Sequence, residues 1–525
     1  MEPDRNRILH LVVVGGGTAG WLAASLLAAR HGAGQERALR VTLIESPNVP
    51  IIGVGEGTWP TMRGTLAAIG VSERDFLRGT GASFKQGSKF LGWVDGRPGD
   101  RYHHPFSPPV KAPGDALASW KAAKGTPAMP FADWVGVQPS LADQGLAPKT
   151  AEQGDYEGIL NYAYHLDAGA FADMLRRHAT ERLGIVHRLE DVQDVIPDEE
   201  GMIAALGLAS GEILHGDFFV DCTGFSARLL GQALGVPFRD VSDILFADRA
   251  IALQLPHDSP DAPIASVTLA TAQRAGWIWD IGLQERRGLG HVYASAFCSD
   301  DEAEAALRAY AGPRSAAFPA RLLKFRCGYR ETLWKKNCVA IGLSASFFEP
   351  LEASAIMSAE LMLDSLATLL PLRRDNLEAA AGLYNRRFSE FWPAIIDFLK
   401  LHYVLSRRQE PFWQANREPG SIPDSLKNRL MLWRDHAPVA EHLGAANPIF
   451  SWLSYRHVLY GMGWNAPTVT ESGQARPAER AAALAGFKDR LRAALPTNRA
   501  LLSNDSSRQV RAGRAGQSNS ASISS

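Results

Sequence analysis

Apolar and polar positions change period twice within the first 45 residues. Residues 8–14 (ILHLVVV) are a short, nearly unbroken apolar run, the pattern of a strand buried on both faces. Leu22, Ser25, Leu26 and Ala29 then recur at i, i+3, i+4 and i+7, one face of a helix. Three glycines, Gly15, Gly16 and Gly17, separate the two segments. Arg40 to Ile44 (RVTLI) is a second buried strand closing at Glu45. Strand, helix and strand in this order form a βαβ unit, which predicts a doubly wound α/β fold.

Further along, the spacing predicts helices over 59–69 and 168–183 and an antiparallel ribbon over 184–220. A strand over 218–220 runs into Asp221-Cys-Thr-Gly224. Residues 250–298 alternate as strands and turns of a second sheet. Residues 338–341 form another buried strand, followed by Gly342 and a helix over 355–370. Tyr384, Phe388, Phe391, Trp392, Ile395 and Leu399 share one face of a helix that Pro393 would bend. The Pro-, Ala- and aromatic-rich stretch 96–154 has no period and suits an elaborated surface or a lid. The expected organisation is a nucleotide-binding module with an inserted sheet and substrate elements over 1–400, helices covering the substrate over 401–500, and a disordered Ser-, Arg- and Gly-rich tail over 501–525.

Composition narrows the class. Fifty-five basic and 56 acidic residues leave a net charge of −1, so no global field favours nucleic acid or an anionic membrane. The apolar stretch 9–29 has the length of a span or an export signal, but three successive glycines suit neither helix. The four cysteines, Cys222, Cys298, Cys327 and Cys338, lie far apart. That excludes a disulfide framework and fits a reducing, cytoplasmic setting. His103 and His104 have no further ligands at metal-binding spacing, so no metal site is expected.

Gly15-x-Gly17-x-x-Gly20 stands between strand and helix, where a pyrophosphate needs it. The first glycine permits the turn, the second lets backbone approach phosphate, and the third lets helix pack on strand; Thr18 and Ala19 open the helix. Glu45 ends the next strand, where a carboxylate reaches ribose hydroxyls. The spacing does not separate FAD from NAD. Three distant segments, the fingerprint, Asp221 to Gly224 and Val339 to Gly342, suggest one long ligand lying along the sheet, which fits FAD better. No second fingerprint is present for NAD(P)H, so electrons are expected from elsewhere.

Six blocks now occur in one order: GGGTAGW at 15–21, SFKQG at 83–87, HPF at 104–106, DCTGF at 221–225, GWIWDI at 276–281 and FFEPLEAS at 347–354. Together they resemble the flavin-dependent tryptophan halogenases. The resemblance implies a Rossmann-like, flavoprotein monooxygenase-type FAD domain with an inserted substrate sheet and a mostly helical C-terminal part. It also implies that reduced FAD from a separate flavin reductase, O₂ and a halide (bromide or chloride) give hypohalous acid, which travels through a tunnel to a lysine and is aimed at an electron-rich arene, expected to be an indole. Carried over by motif, Lys85 takes the lysine role and Glu352 that of its carboxylate partner. Ser354 and Ala355 fall at the halide site, Val192 and Leu343 at flavin contacts, and His104 and Phe106 beside the substrate. A homodimer is left open.

The residue chemistry is coherent with those roles. An ammonium donates a proton at neutral pH and would polarise the O–X bond. A carboxylate would stabilise the cationic arene and take its proton. Backbone amides at the start of the helix holding Ser354 and Ala355 would suit a halide. Trp277 and Trp279, two apart on one strand face, suit either core packing or a wall on the flavin side. Two departures stand out. Gly282 replaces the family's Pro after the WxWxI signature. Ala355 replaces its halide-site Gly, which predicts weaker or altered halide binding. The tyrosines and acid that grip free tryptophan do not map onto residues 430–465, so another indole or a phenol is expected, with bromide favoured. The alternatives are a flavoprotein monooxygenase hydroxylating an aromatic, which would commonly carry Gly-Asp where this chain has Gly342-Leu343, and a degenerate flavin-binding protein.

Overall fold

The computed structural model describes residues 6–32, 39–49, 55–113, 115–123, 129–444, 449–465 and 476–503. The tail lies outside them from residue 504, whereas Leu501 and Leu502, expected in that tail, are helical and buried.

The βαβ unit forms as its pattern dictates. Strand His10–Val14 is buried along its length and pairs in parallel with Arg40–Glu45 on one side and Phe218–Asp221 on the other. Helix Thr18–His31 joins the first two. Cys338–Ala340 and Val186–Leu189 extend the parallel sheet outward, and Trp334–Lys335 adds an antiparallel edge. The expected ribbon over 184–220 is thereby corrected. Its first strand joins the main sheet beside Arg40–Glu45, and the antiparallel part starts only at Val192–Pro197, pairing with Ile203–Leu208 and then Ile213–His215.

A second sheet of seven described strands carries the inserted region. Its strands run in the order Ala320–Lys324, Arg249–Pro256, Arg286–Tyr293, Gly276–Gly282, Thr268–Gln273, Gly87–Leu91 and Arg101–Pro105. In a small sheet Ala163–Asp167 is flanked by Gly55–Gly57 and Ser83–Lys85. The stretch 96–154 contributes three short helices, Ala116–Ala122, Phe131–Val135 and Gln138–Ala142.

The single bent helix expected through Pro393 is two helices, Leu377–Ser389 and Phe391–Val404. Pro393 sits in the first turn of the second, where a helix has no use for the missing N–H. Tyr384, Phe388, Trp392 and Ile395 are all buried, so the apolar face is real but crosses a break. One contiguous apolar core runs from Ile8 to Leu502 and includes the helices after residue 400. No described helix is long and apolar enough to cross a membrane.

Candidate active site

A cavity of about 550 Å³ opens at the C-terminal ends of the parallel strands, the place where doubly wound folds hold ligands. It is lined by Gly15, Gly16, Gly17, Thr18, Ala19, Glu45 and Val192 and also by Lys85, Glu352, Ser354 and Ala355; Leu343, Trp277 and Trp279 line it too.

The nucleotide end is built by absence of side chains. Gly15 has φ +117°, and a Cβ there would lie 2.2 Å from Cys222 O. A Cβ on Gly16 would lie 2.2 Å from the Glu45 carboxyl carbon, whereas Gly17 faces open space. The helix starting at Thr18 has no side-chain cap and no acid in its first turn, so its amides are free for an anion. Glu45 borders this space and takes a 3.0 Å contact from His187 Nε2. These residues fit a dinucleotide such as FAD. Two expected cofactor contacts act indirectly instead. Gly20 lets the helix close on Gly15 O, 1.8 Å from where its Cβ would stand. Asp221 is fully buried and accepts from the amides of Thr223, Leu229 and Leu230 and from Thr223 Oγ1, holding the loop that follows its strand. Neither lines the cavity. Gly15→Ala is expected to lose copurifying flavin absorbance and to destabilise the fold by about 2 kcal/mol or more, since both the φ and the Cys222 carbonyl oppose a methyl group. A thermal melt and an absorbance spectrum check this.

Lys85 ends strand Ser83–Lys85, held antiparallel to Ala163–Asp167. Gly57 on the far side of that sheet leaves room for the side chain: a Cβ there would stand 2.9 Å from Lys85 Nζ. The lysine is 1% exposed, and its ammonium lies 5.3 Å from the centre of the Phe106 ring. Burial lowers its pKa to about 8, and the charge of Glu352 works against that fall. His104 and Phe106 follow from pairing: Gly87–Leu91 lies antiparallel to Arg101–Pro105, setting Ser88 opposite His104, and Gly87 at φ +138° allows the backbones to approach. Neither His104 nor Phe106 lines the 550 Å³ cavity; Phe106 lies against the Lys85 ammonium and His104 against the Glu352 carboxylate.

Glu352 and Ala353 adopt left-handed backbone angles, φ 63° and 53°, just before helix Ser354–Leu369. Two such non-glycine residues in succession cost roughly 1–3 kcal/mol each. The turn is held by Trp59 Nε1, which donates to Glu352 O at 2.8 Å. It points the carboxylate inward: Glu352 Oε1 is 2.8 Å from His104 Nδ1 and 3.5 Å from His402 Nε2. Burial would raise this carboxyl, but His104, His402 and Lys85 together outweigh it and hold the pKa below its ordinary value. Burial lowers His402 to about 3, so it is neutral, and burial also pushes the Tyr102 phenol well up. Tyr102 therefore keeps its proton and donates it to His402 Nδ1 at 2.6 Å, leaving an N–H on Nε2 facing Glu352. Ala355 lies inside the helix rather than at a left-handed position, so the methyl group in place of glycine imposes no backbone strain there.

Nothing in the sequence marked Trp59, His402, Phe398, Phe450 or His457. Phe398 stacks on Phe450 at 3.8 Å and lies 5.7 Å from His104, while His457 lies 6.1 Å from His104 and has both ring nitrogens buried without a hydrogen-bond partner among the described residues. The available signal was the i, i+4 pair Phe398 and His402, continuing the aromatic face of their helix. Trp277 and Trp279 are buried and line the cavity, with Trp277 Nε1 donating to Glu349 at 3.4 Å. Among the described residues no cluster could hold a metal ion.

Comparison with known proteins agrees with this geometry. The family profile described as tryptophan halogenase matches residues 10–478. A tryptophan 6-halogenase of Streptomyces toxytricini is 35% identical over 483 residues, covering 88% of this chain and 90% of that protein. Among solved structures, a tryptophan halogenase from Shewanella frigidimarina superposes with a TM-score of 0.89 at 41% identity, covering 95% of this chain and 98% of that one. BrvH, a flavin-dependent halogenase from Brevundimonas, gives 0.83 at 33% identity, covering 95% and 99%. These relatives support halogenation over hydroxylation. With the flavin cradle, the buried Lys85 and the inward-turned Glu352 in place, the chain belongs to the tryptophan halogenase family of flavin-dependent halogenases.

Proposed function

We propose that this halogenase works with a separate flavin reductase and delivers oxidised halogen past Lys85 onto a flat, apolar indole-type ring, with bromide preferred to chloride. The observation that carries the proposal is that Lys85 and Glu352 open on the same 550 Å³ cavity as the glycine cradle, while Phe106 lies against the Lys85 ammonium and His104 against the Glu352 carboxylate without lining that cavity. When bound, reduced FAD supplies, with O₂ and halide, the hypohalous acid. The chain's own residues do the rest. Ser354 and Ala355, at the start of their helix and on the cavity wall, are placed to hold the halide. The ammonium of Lys85 donates a proton to the hydroxyl oxygen of the oxidant, so halogen leaves as an electrophile and water is formed. Glu352, kept ionised by its neighbours, stabilises the cationic ring and takes its proton. Burial behind aromatic walls keeps water from competing. Trp59, Phe398, Phe450 and Tyr455 surround the His104 side, and such faces suit an unfunctionalised aromatic ring better than an amino acid zwitterion.

The test supplies FAD, a flavin reductase, NADH, O₂ and bromide or chloride with a panel of indoles, tryptophan and phenols. A halogen isotope pattern on a simple indole, larger with bromide, is the expected result. An oxygenated product, or halogenation of free tryptophan alone, refutes it. The pH dependence follows from Lys85. Its ammonium is the working form, so the rate is expected to hold below about pH 8 and to fall as pH rises through that value. A rate that climbed through pH 8 would instead make the free amine the active species.

A further inference from the structure

We infer that Trp59 is a modification site: when no arene occupies the space beside His104 and Phe106, the oxidant that passes Lys85 halogenates the indole ring of Trp59. The inference rests on the proposed halogenase chemistry and adds a target within the chain itself.

Trp59 is the chain's own copy of the ring type the enzyme is built to attack. Its ring stands 6.3 Å from His104, 5.6 Å from Phe106 and 5.4 Å from Phe450, centre to centre. The same Phe106 ring lies 5.3 Å from Lys85 Nζ, so Trp59 and the ammonium share a neighbour. The Nε1–H donates to the backbone carbonyl of Glu352 at 2.8 Å, which fixes the indole next to the residue whose carboxylate accepts the ring proton. Trp59 is only partly buried, unlike Trp277 and Trp279. Trp277 and Trp279 line the cavity, which Trp59 does not, but they are more tightly packed and have no comparable tie to Glu352.

The step balances without a further reactant. Hypohalous acid made by the enzyme's own reaction brings the halogen. A carbon–halogen bond forms on the Trp59 ring as the oxygen–halogen bond breaks, and the hydroxyl takes a proton from the Lys85 ammonium to leave as water. The displaced ring proton passes to the Glu352 carboxylate, and returning it to the Lys85 amine restores both groups. In sum, hypohalous acid and a ring C–H give a ring C–X and water.

The test uses the full chain loaded with FAD, plus a flavin reductase, NADH, O₂ and bromide. Free methionine is added to trap oxidant that escapes into solution, and one arm contains indole while the other contains no arene. Peptides are then mapped by mass spectrometry. The expected result is a single bromine on the peptide ending at Arg63, at Trp59, suppressed at least several-fold by indole. In Lys85→Met with flavin still bound, that mark is expected to vanish. Bromine spread over Trp277, Trp279 and outer tryptophans, or a Trp59 mark that persists in Lys85→Met, overturns the inference. If the preparation brominates indole but never Trp59, this inference alone fails. If it brominates neither, the underlying halogenase chemistry fails with it.

Discussion

Lys85→Met is expected to lower halogenated product by roughly 10³-fold or more while leaving FAD bound and the fold intact. Methionine has nearly the length of lysine and accepts an apolar site, so the packing against Gly57 and Phe106 survives. What disappears is the proton donor, and with it the means of making halogen electrophilic at the right place. The cradle of Gly15, Gly16 and Gly17 is built on a strand and helix that do not include Lys85, so flavin absorbance serves as the internal control. Oxidant should still form and should appear in a methionine trap as sulfoxide. Lys85→Arg separates charge from acidity. Its guanidinium keeps the positive charge but holds its proton too tightly to donate it, so activity is expected to stay low. Substantial turnover in Lys85→Met, with the same regiochemistry, would remove the lysine from the mechanism.

Much of this was legible because glycine and charge leave marks in sequence. The turn at Gly15 tolerates no side chain, since Cys222 O stands where a Cβ would be, so the fingerprint had to be written in glycines. Lys85 stood out because SFKQG and HPF occur as blocks, and the pairing of Gly87–Leu91 with Arg101–Pro105 is why the two blocks belong to one place. Other features depend on contacts far apart in the chain. The left-handed angles of Glu352 and Ala353 have no sequence signature, because the turn is fixed by the Trp59 indole, 293 residues away. The polarity of His402, on a helix, depends on Tyr102, on a strand 300 residues earlier. The break between Leu377–Ser389 and Phe391–Val404 was hidden for a different reason: the apolar period continues across it, so the pattern describes the buried face but not the path of the backbone.

Glu352→Gln should retain the architecture of the site and lose most of its chemistry. The amide matches the carboxylate in size, and its oxygen can still accept from His104 Nδ1, so the strained turn and its Trp59 contact have no reason to relax. It cannot take a proton from the ring, and it offers a dipole where a charge had faced the cationic intermediate. Loss of a single preorganised electrostatic group of this kind costs about 10²–10³ in turnover, or about 2.7–4 kcal/mol. The substitution also acts on Lys85. The charge of Glu352 is what holds the lysine pKa up against burial, so its removal should drop that pKa below about 8 and move the alkaline limb of the rate profile to lower pH. Two readings from one variant thus check two links: a product rate down by two to three orders of magnitude, and a limb displaced toward acid. An unchanged limb with a reduced rate would mean that the carboxylate does not sense the ammonium. An unchanged rate would mean that the ring proton leaves by another route, and His104, the nearest remaining group within hydrogen-bond reach of that carboxylate, would be the next place to look.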